Sequence, residues 1–212
     1  MSSVRLRRHR LFYNFTIFFF SFYYKVIFGM KIKGSIKTKS RSVLFCMNHR
    51  SFNDPPIAGI LLYSFRRSAE LFVLAKMDLF KIHPLAAKIL GILNAIPLQR
   101  NGMDADVIKK SIEVLEQGNY MIVFPEGTRN KTKGLLEGKA GAGYIALKSK
   151  AVVIPILLKN TDEHPLKQLL RIKRIEAVIG DEIILPNVAS NSKNSRKVTD
   201  IIMNELGALE NV

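Results

Sequence analysis

Beyond residue 40 the chain alternates short apolar runs with stretches of helical periodicity. Val43 to Met47 is a continuous apolar run, as expected of a parallel strand buried on both faces. Asp54 followed by Pro55 marks a helix start, predicting a helix through Tyr63. Leu71 to Ala75 reads as a second strand, Pro84 to Leu93 as a helix and Ala95 to Leu98 as a further strand. Asp104 to Gln117 is the clearest helix: Ile108, Ile112 and Leu115 form its apolar stripe, Asp104 and Asp106 suit its first turn, and Gly118 stops it. Tyr120 to Phe124 is a strong strand. Ala140 to Lys148 is predicted helical despite Gly141 and Gly143. Val152 to Leu158 is a strand in which Pro155 suggests an edge or a bulge. Ile175 to Ile179 is expected to pair with Glu182 to Leu185 about Gly180-Asp181. Asn187 to Ser195 reads as a polar linker and Val198 to Leu206 as the last helix. The alternation predicts a single α/β domain, residues 41–212, with a largely parallel central sheet flanked by helices and a motif-bearing core over about 43–158.

Residues 1–40 break this pattern. Arg5, Arg7, Arg8 and Arg10 precede Leu11 to Tyr24, where 11 of 14 residues are apolar or aromatic, and Lys31, Lys33, Lys37, Lys39 and Arg41 follow. Seven of the 13 Phe and three of the six Tyr fall between Leu11 and Met30. A cleaved signal peptide fits badly, because aromatics dominate and no small-x-small site follows. Asn14, Ser21 and Lys25 share one narrow helical stripe, so a helix here has one polar stripe and a broad aromatic face, suited to a bilayer interface. Its length also reaches the minimum for a span, and an ordinary core helix with a basic tail is the plainer alternative. We expect a retained, membrane-associated anchoring segment whose basic flanks meet anionic phosphates, with the domain on the cytoplasmic face.

Composition sharpens this division. The formal net charge is +16, yet no acidic residue precedes Asp54 and the first 50 residues hold 11 of the 33 Lys and Arg. A nucleic-acid binder would spread its charge differently, with basic and aromatic residues interleaved across one surface, so no nucleic-acid partner is expected. An apolar content of 48% excludes intrinsic disorder, and the single cysteine, Cys46, excludes a disulfide scaffold. No metal-ligand spacing stands out.

Three clusters at strand ends carry candidate chemistry. In Asn48-His49-Arg50-Ser51-Phe52-Asn53-Asp54 the chain must turn before Pro55, which can fold the Asp54 carboxylate back onto His49. That pairing would orient the imidazole and stabilise its charged form. On spacing alone the plainer reading is preferred: Asp54 caps a helix and His49 is a loop residue. In Phe124 to Arg129 a buried strand ends in a charged turn, where Gly127 permits close approach and Arg129 can grip a phosphate. A solvated turn with a Glu126–Arg129 pair is the alternative. Ile96 to Gly102 delivers Arg100 at a third strand end, weak by itself before Asn101-Gly102.

Together the clusters resemble the glycerolipid acyltransferase family typified by 1-acyl-sn-glycerol-3-phosphate acyltransferase. Asn48 to Asp54 matches its Asn-His-x4-Asp block, Ala95 to Arg100 its Arg-bearing block, Phe124 to Arg129 its Phe-Pro-Glu-Gly-Thr-Arg block, and Val153 to Ile156 its proline block. Lys139-Ala140-Gly141 and Ala75-Lys76 are similar to further family features, and the likeness covers about residues 40 to 160. Gln99 departs from the Asp that many members carry before the Arg. The resemblance implies acyl transfer from a thioester to the hydroxyl of a lysophosphatidic acid, yielding phosphatidic acid in phospholipid biosynthesis. It implies His49 as general base oriented by Asp54, and Arg129 and Arg100 on the acceptor phosphate. Glu126 would position the acceptor or Arg129, Gly127 and Thr128 complete the substrate-binding block, and Lys76 adds positive field. Acyl-CoA or an acyl carrier protein would be co-substrate, with no metal or other cofactor. Backbone N–H groups near His49 or Gly127 are candidate oxyanion donors.

Other readings stay open. Cys46 could form an acyl-enzyme, against the plainer reading of a core thiol. Another lysolipid or glycerol 3-phosphate could be the acceptor, and a non-catalytic lipid-binding module is the alternative from a different class. Lys131 and Lys133 read as surface charge, and His83 and His164 as loop histidines.

Overall fold

The computed structural model describes residues 15, 18–63, 70–92, 94–99 and 105–212. Seven strands form one sheet: β1 (Lys31–Lys33), β2 (Val43–Met47), β3 (Leu71–Lys76), β4 (Ala95–Leu98), β5 (Tyr120–Val123), β6 (Val152–Lys159) and β7 (Glu176–Ile179). Their spatial order is β1-β7-β6-β2-β5-β3-β4. Every neighbouring pair is parallel except β6 with β7. This is the single α/β domain with a mostly parallel sheet that the alternation predicts.

The side chains of β2 explain the layering. Val43, Phe45 and Met47 pack on one face with Ile57, Ile60 and Leu61 of the helix Asp54–Tyr63. Leu44 and Cys46 pack on the other with the helices Ala105–Glu116, Gly141–Ser149 and Ser192–Ala208. All five β2 residues are buried, because both faces of a parallel strand are covered. Gly143 is needed where two of those helices meet: a β-carbon there would overlap the Ser195 carbonyl, and its N–H donates to Thr199 Oγ1 at 3.0 Å.

Of the two readings of Pro155 the bulge holds and the edge does not: β6 is interior, and the register slips opposite the proline, Ile156 facing Ile179 while Val153 faces Ile183. Two expectations are corrected. Glu182 to Leu185 does not form a hairpin with β7, which is already flanked by β6 and β1; Ile183 makes one isolated bridge to Val153. The last helix starts at Ser192, well before Val198, because the Asn191 side chain accepts from the Asn194 N–H at 2.8 Å and caps it.

The region before residue 41 contributes to the same body. Tyr24, Phe28 and Met30 are buried, and β1 lies against β7. Phe15, Phe18, Phe19, Phe22 and Val26 point outward on the opposite helical face, with Phe18 71% exposed. Among the described residues no helix is long and apolar enough to cross a membrane. Arg5 to Asn14 of the expected anchor lie outside the described residues.

The topology decides what gathers at one edge of the sheet. The carboxyl ends of β2, β3, β4, β5 and β6 share an edge because these strands are parallel. β7 runs the other way and β1 follows it, so the residues entering β1 and β7 reach that same edge, where the Lys31 N–H donates to the Ile175 carbonyl at 2.9 Å.

Candidate active site

β2 and β5 are neighbours in register, Cys46 opposite Val123, so the blocks that follow them emerge side by side. Asn48 anchors the turn after β2 by using its side chain as a strand: Nδ2 donates to the Leu158 carbonyl at 2.9 Å and Oδ1 accepts from the Leu158 N–H at 2.7 Å. The chain then leaves the sheet and returns at Asp54, the first residue of its helix.

The return brings His49 Nδ1 to 2.8 Å from Asp54 Oδ2. Asp54 is fully buried. Its Oδ2 also accepts from the Arg50 N–H at 2.6 Å and the Ser51 N–H at 2.8 Å. Two backbone N–H donors make this oxygen an acceptor, and the tautomer that completes the contact is the one protonated at Nδ1. His49 Nδ1 therefore carries the proton, and Nε2 is left as the lone-pair nitrogen. The imidazole stacks on Phe124, ring centroids 4.3 Å apart, which fixes its plane. Pairing rather than capping is what Asp54 does: it begins the helix, but its side chain reaches back to the histidine turn and makes no bond to the N–H groups of its own helix.

Glu126 is buried, and both its oxygens are engaged by backbone: Oε1 accepts from the His49 N–H at 2.9 Å and Oε2 from the Leu136 N–H at 3.0 Å. The Asn130 N–H donates to the His49 carbonyl at 2.6 Å. Glu126 thereby ties the turn after β5 onto His49. Arg129 lies over the Phe52 ring, its guanidinium carbon 3.6 Å from the centroid. Stacking occupies the face of the guanidinium and leaves its in-plane N–H fork for an anion.

Gly127 has φ +66°, and a β-carbon there would come 2.8 Å from Lys139 Cδ. Glycine is required twice over, by the backbone and by the lysine crossing it. Gly127 and Thr128 are exposed at this turn, and Lys76 is exposed at the carboxyl end of β3. Since β3 is the far neighbour of β5, Lys76 stands two strand spacings from β2, roughly 10 Å. The structure therefore brings His49, Asp54, Glu126, Gly127, Thr128 and Arg129 together, with Lys76 further along the edge. Arg100 lies outside the described residues.

Cys46 is completely buried on the face of β2 away from the histidine loop's helix, and burial pushes its thiol up to where it stays protonated. A thiol in that state is a poor nucleophile.

Two contributors were not singled out from sequence. Lys139 shows only as the Lys of Lys139-Ala140-Gly141. Tyr24 shows only as one aromatic among many, yet its hydroxyl donates to Asn53 Oδ1 at 2.9 Å, inside the histidine block, and Asn53 Nδ2 donates to the Thr161 carbonyl at 3.2 Å.

Comparison with known proteins agrees with this geometry. The family model described as Acyltransferase matches residues 30–159. A Borreliella burgdorferi protein named 1-acyl-sn-glycerol-3-phosphate acyltransferase is 25% identical over 170 residues, 79% of this chain and 66% of that protein. A chloroplastic protein of the same name from Arabidopsis thaliana is 30% identical over 132 residues, 60% of this chain and 34% of that protein. The chain thus spans from about a third to just under two thirds of these relatives' length. The crystal structure of the 1-acyl-sn-glycerophosphate acyltransferase PlsC from Thermotoga maritima superposes with a TM-score of 0.65 at 20% identity, covering 97% of this chain and 84% of that one. At that identity the likeness speaks for the fold.

Proposed function

The chain belongs to the acyltransferase family, and from that premise we propose that it moves a fatty acyl group from an acyl thioester to the sn-2 hydroxyl of 1-acyl-sn-glycerol 3-phosphate. The products are phosphatidic acid and a free thiol. The observation that carries the chemistry is the 2.8 Å pair of His49 with a buried Asp54. An alcohol becomes a competent nucleophile only as its proton leaves. His49 Nε2 takes that proton while Asp54 balances the imidazolium. The oxygen–acyl bond forms as the carbonyl becomes an oxyanion. The carbon–sulfur bond then breaks, and His49 returns the proton to the departing thiolate. These steps need no metal or organic cofactor, and acyl-CoA or acyl carrier protein supplies the thioester.

The oxyanion needs a donor that is not already used. The N–H groups of His49, Arg50 and Ser51 serve Glu126 and Asp54, and that of Gly127 serves the Phe124 carbonyl. Lys139, lying across Gly127, supplies positive charge beside that turn. Arg129, with Arg100, holds the acceptor phosphate, Lys76 adds field, and Glu126 keeps the two blocks in register. The outward aromatic face formed by Phe15, Phe18, Phe19, Phe22 and Val26 rests in a bilayer interface, where the acceptor resides. The basic flanks of this segment favour the anionic cytoplasmic leaflet.

The deciding experiment assays the purified protein in mixed micelles against acyl-CoA and acyl carrier protein donors, with lysophosphatidic acid, neutral lysolipids and glycerol 3-phosphate as acceptors. Lysophosphatidic acid is expected to be the best acceptor. A faster reaction with a neutral lysolipid or with glycerol 3-phosphate would overturn the acceptor assignment.

A further inference from the structure

The connection from β6 to β7 is far longer than its geometry demands. These strands are antiparallel neighbours, which a turn of two to five residues can join. Here 16 residues intervene. Long connections in compact domains are most often functional. This one is held firmly: Gln168 Nε2 donates to the Asn160 carbonyl at 2.8 Å, and Asn160 Nδ2 donates to the Arg174 carbonyl at 2.8 Å, closing the loop at both ends. The short helix Pro165–Leu169 lies within it.

Its outward side is apolar and cationic at once. Leu166, Leu169, Leu170 and Ile172 are exposed, Ile172 by 65%. Between Pro165 and Arg174 there are four basic residues, Lys167, Arg171, Lys173 and Arg174, and no acid. A stapled loop that keeps four branched apolar side chains in water is built against a second phase.

Position identifies that phase. The loop leaves the carboxyl end of β6 and enters β7, so it stands at the edge of the sheet that carries His49 and Arg129. The outward aromatic helix enters β1 at the same edge. The two segments touch: a β-carbon on Gly29 would lie 3.2 Å from Arg171 Nε. Two sequence-distant segments, each apolar with basic flanks, therefore adjoin at one edge.

We propose that Pro165 to Arg174 is a second membrane-docking element, which sets its leucines and Ile172 into the interface of an anionic phospholipid bilayer and its cations against the phosphates. With the aromatic helix it makes a two-point contact, which fixes the orientation of the domain as one anchor cannot. The occupant is lipid because Arg171, Lys173 and Arg174, which have no acidic partner among the described residues, complement anionic headgroups, Lys167 being paired with Glu163 at 3.3 Å, while the apolar side chains between them need a hydrocarbon boundary. The assignment rests on exposure, charge and topology, independently of the chemistry at His49.

The test uses the full chain carrying Ile172→Cys, labelled with a polarity-sensitive dye; buried Cys46 does not compete. Vesicles of phosphatidylcholine with and without a third of phosphatidylglycerol are titrated in, with no donor or acceptor present. A blue shift that is strongest on anionic vesicles and reversed by salt is expected. Unlabelled protein with Leu169→Ser, Leu170→Ser and Lys173→Glu together should pellet with anionic vesicles at least about fivefold less, the loss of a single headgroup cation alone being of that order. Its melting temperature should be unchanged, since all three side chains are exposed. Vesicle binding without a dye shift would leave the aromatic helix as the sole contact and overturn the proposal. So would unchanged pelleting of the triple variant, or protein that binds no vesicles. A shift produced by an acidic acyl carrier protein and not by vesicles would reassign the surface to a protein partner.

Discussion

The loop around His49 and the helix around Phe22 stand at the same edge of the sheet and treat their exposed chemistry in opposite ways. Around His49 polar groups converge: His49 Nδ1 and two backbone N–H groups meet one Asp54 oxygen, the other Asp54 oxygen being buried without a partner, and both Glu126 oxygens hold backbone N–H groups. Around Phe22 apolar groups are left unmatched: Phe15, Phe18, Phe19 and Phe22 are each more than half exposed. Buried hydrogen bonds that converge on a single atom hold geometry, which a reaction needs to sub-ångström tolerance. Exposed aromatic faces hold no geometry and cost free energy in water, so they gain only where another apolar phase arrives. On the proposed function the two regions divide one task, the first placing atoms and the second placing the molecule.

If that division is right, changes in the first region abolish turnover without altering membrane binding. The largest effect is expected for His49→Ala, which removes the proposed base. Acyl transfer should fall about 10²–10⁴-fold with vesicle partition and circular dichroism unchanged. Near-normal turnover by the folded variant would break the comparison at its centre. Arg129→Ala comes next. A charge-assisted hydrogen bond contributes about 1.5–3 kcal/mol, so turnover of a phosphate-bearing acceptor should drop roughly 10- to 100-fold. A neutral lysolipid should be little affected. An equal loss on both would take Arg129 out of phosphate binding.

The second region should show the reverse. Phe18→Ser with Phe22→Ser removes two exposed rings, each worth about 1.5–3 kcal/mol when buried in an apolar phase. Partition onto vesicles should weaken tenfold or more in a pelleting assay. Turnover of a short-chain, water-soluble acceptor should stay the same. A matching loss on the soluble acceptor would mean that the aromatic helix shapes the site and does not merely deliver it.

How much of this was legible in the sequence follows the same division. β2 and β5 were readable because a strand buried on both faces must be a continuous apolar run, and the runs ended where the chemistry began. The histidine block was readable only as a set of alternatives. A residue before Pro55 can cap a helix or pair with an imidazole, and spacing does not distinguish them; the buried carboxylate takes the second role alone. Glu126 was less visible still, because its partners are backbone N–H groups, which no side chain announces. β1 was hidden inside a basic flank: Lys31-Ile32-Lys33 is wholly exposed and shows no strand pattern, and only its pairing with β7 makes it one. Pro155 marked a bulge or an edge without saying which, because the choice depends on whether a further strand lies beyond it. The loop from Asn160 to Ile175 was passed over for want of a motif, since its meaning lies in which edge it occupies.

The smallest effect is expected at Tyr24, where the two regions join. The ring belongs to the aromatic segment, but the hydroxyl donates to Asn53 Oδ1 within the histidine block. Tyr24→Phe keeps the buried ring and removes one hydrogen bond, about 0.5–1.5 kcal/mol of stability, readable as a modest fall in melting temperature. Burial, with Tyr23 and the Asp54 charge nearby, pushes the Tyr24 hydroxyl from 10.0 up to about 12. Between those values the folded protein keeps a proton that the unfolded chain has released, so this contribution to stability declines as pH rises from about 10 to about 12. Tyr24→Phe has no such proton. Its deficit against the parent should therefore be constant through neutral pH and shrink in that alkaline window, measured by denaturant unfolding at each pH. A deficit that does not change there would mean that Tyr24 ionises as freely in the fold as in water. In that case the aromatic segment would not be seated on the histidine loop, and the two regions would be joined only through the sheet.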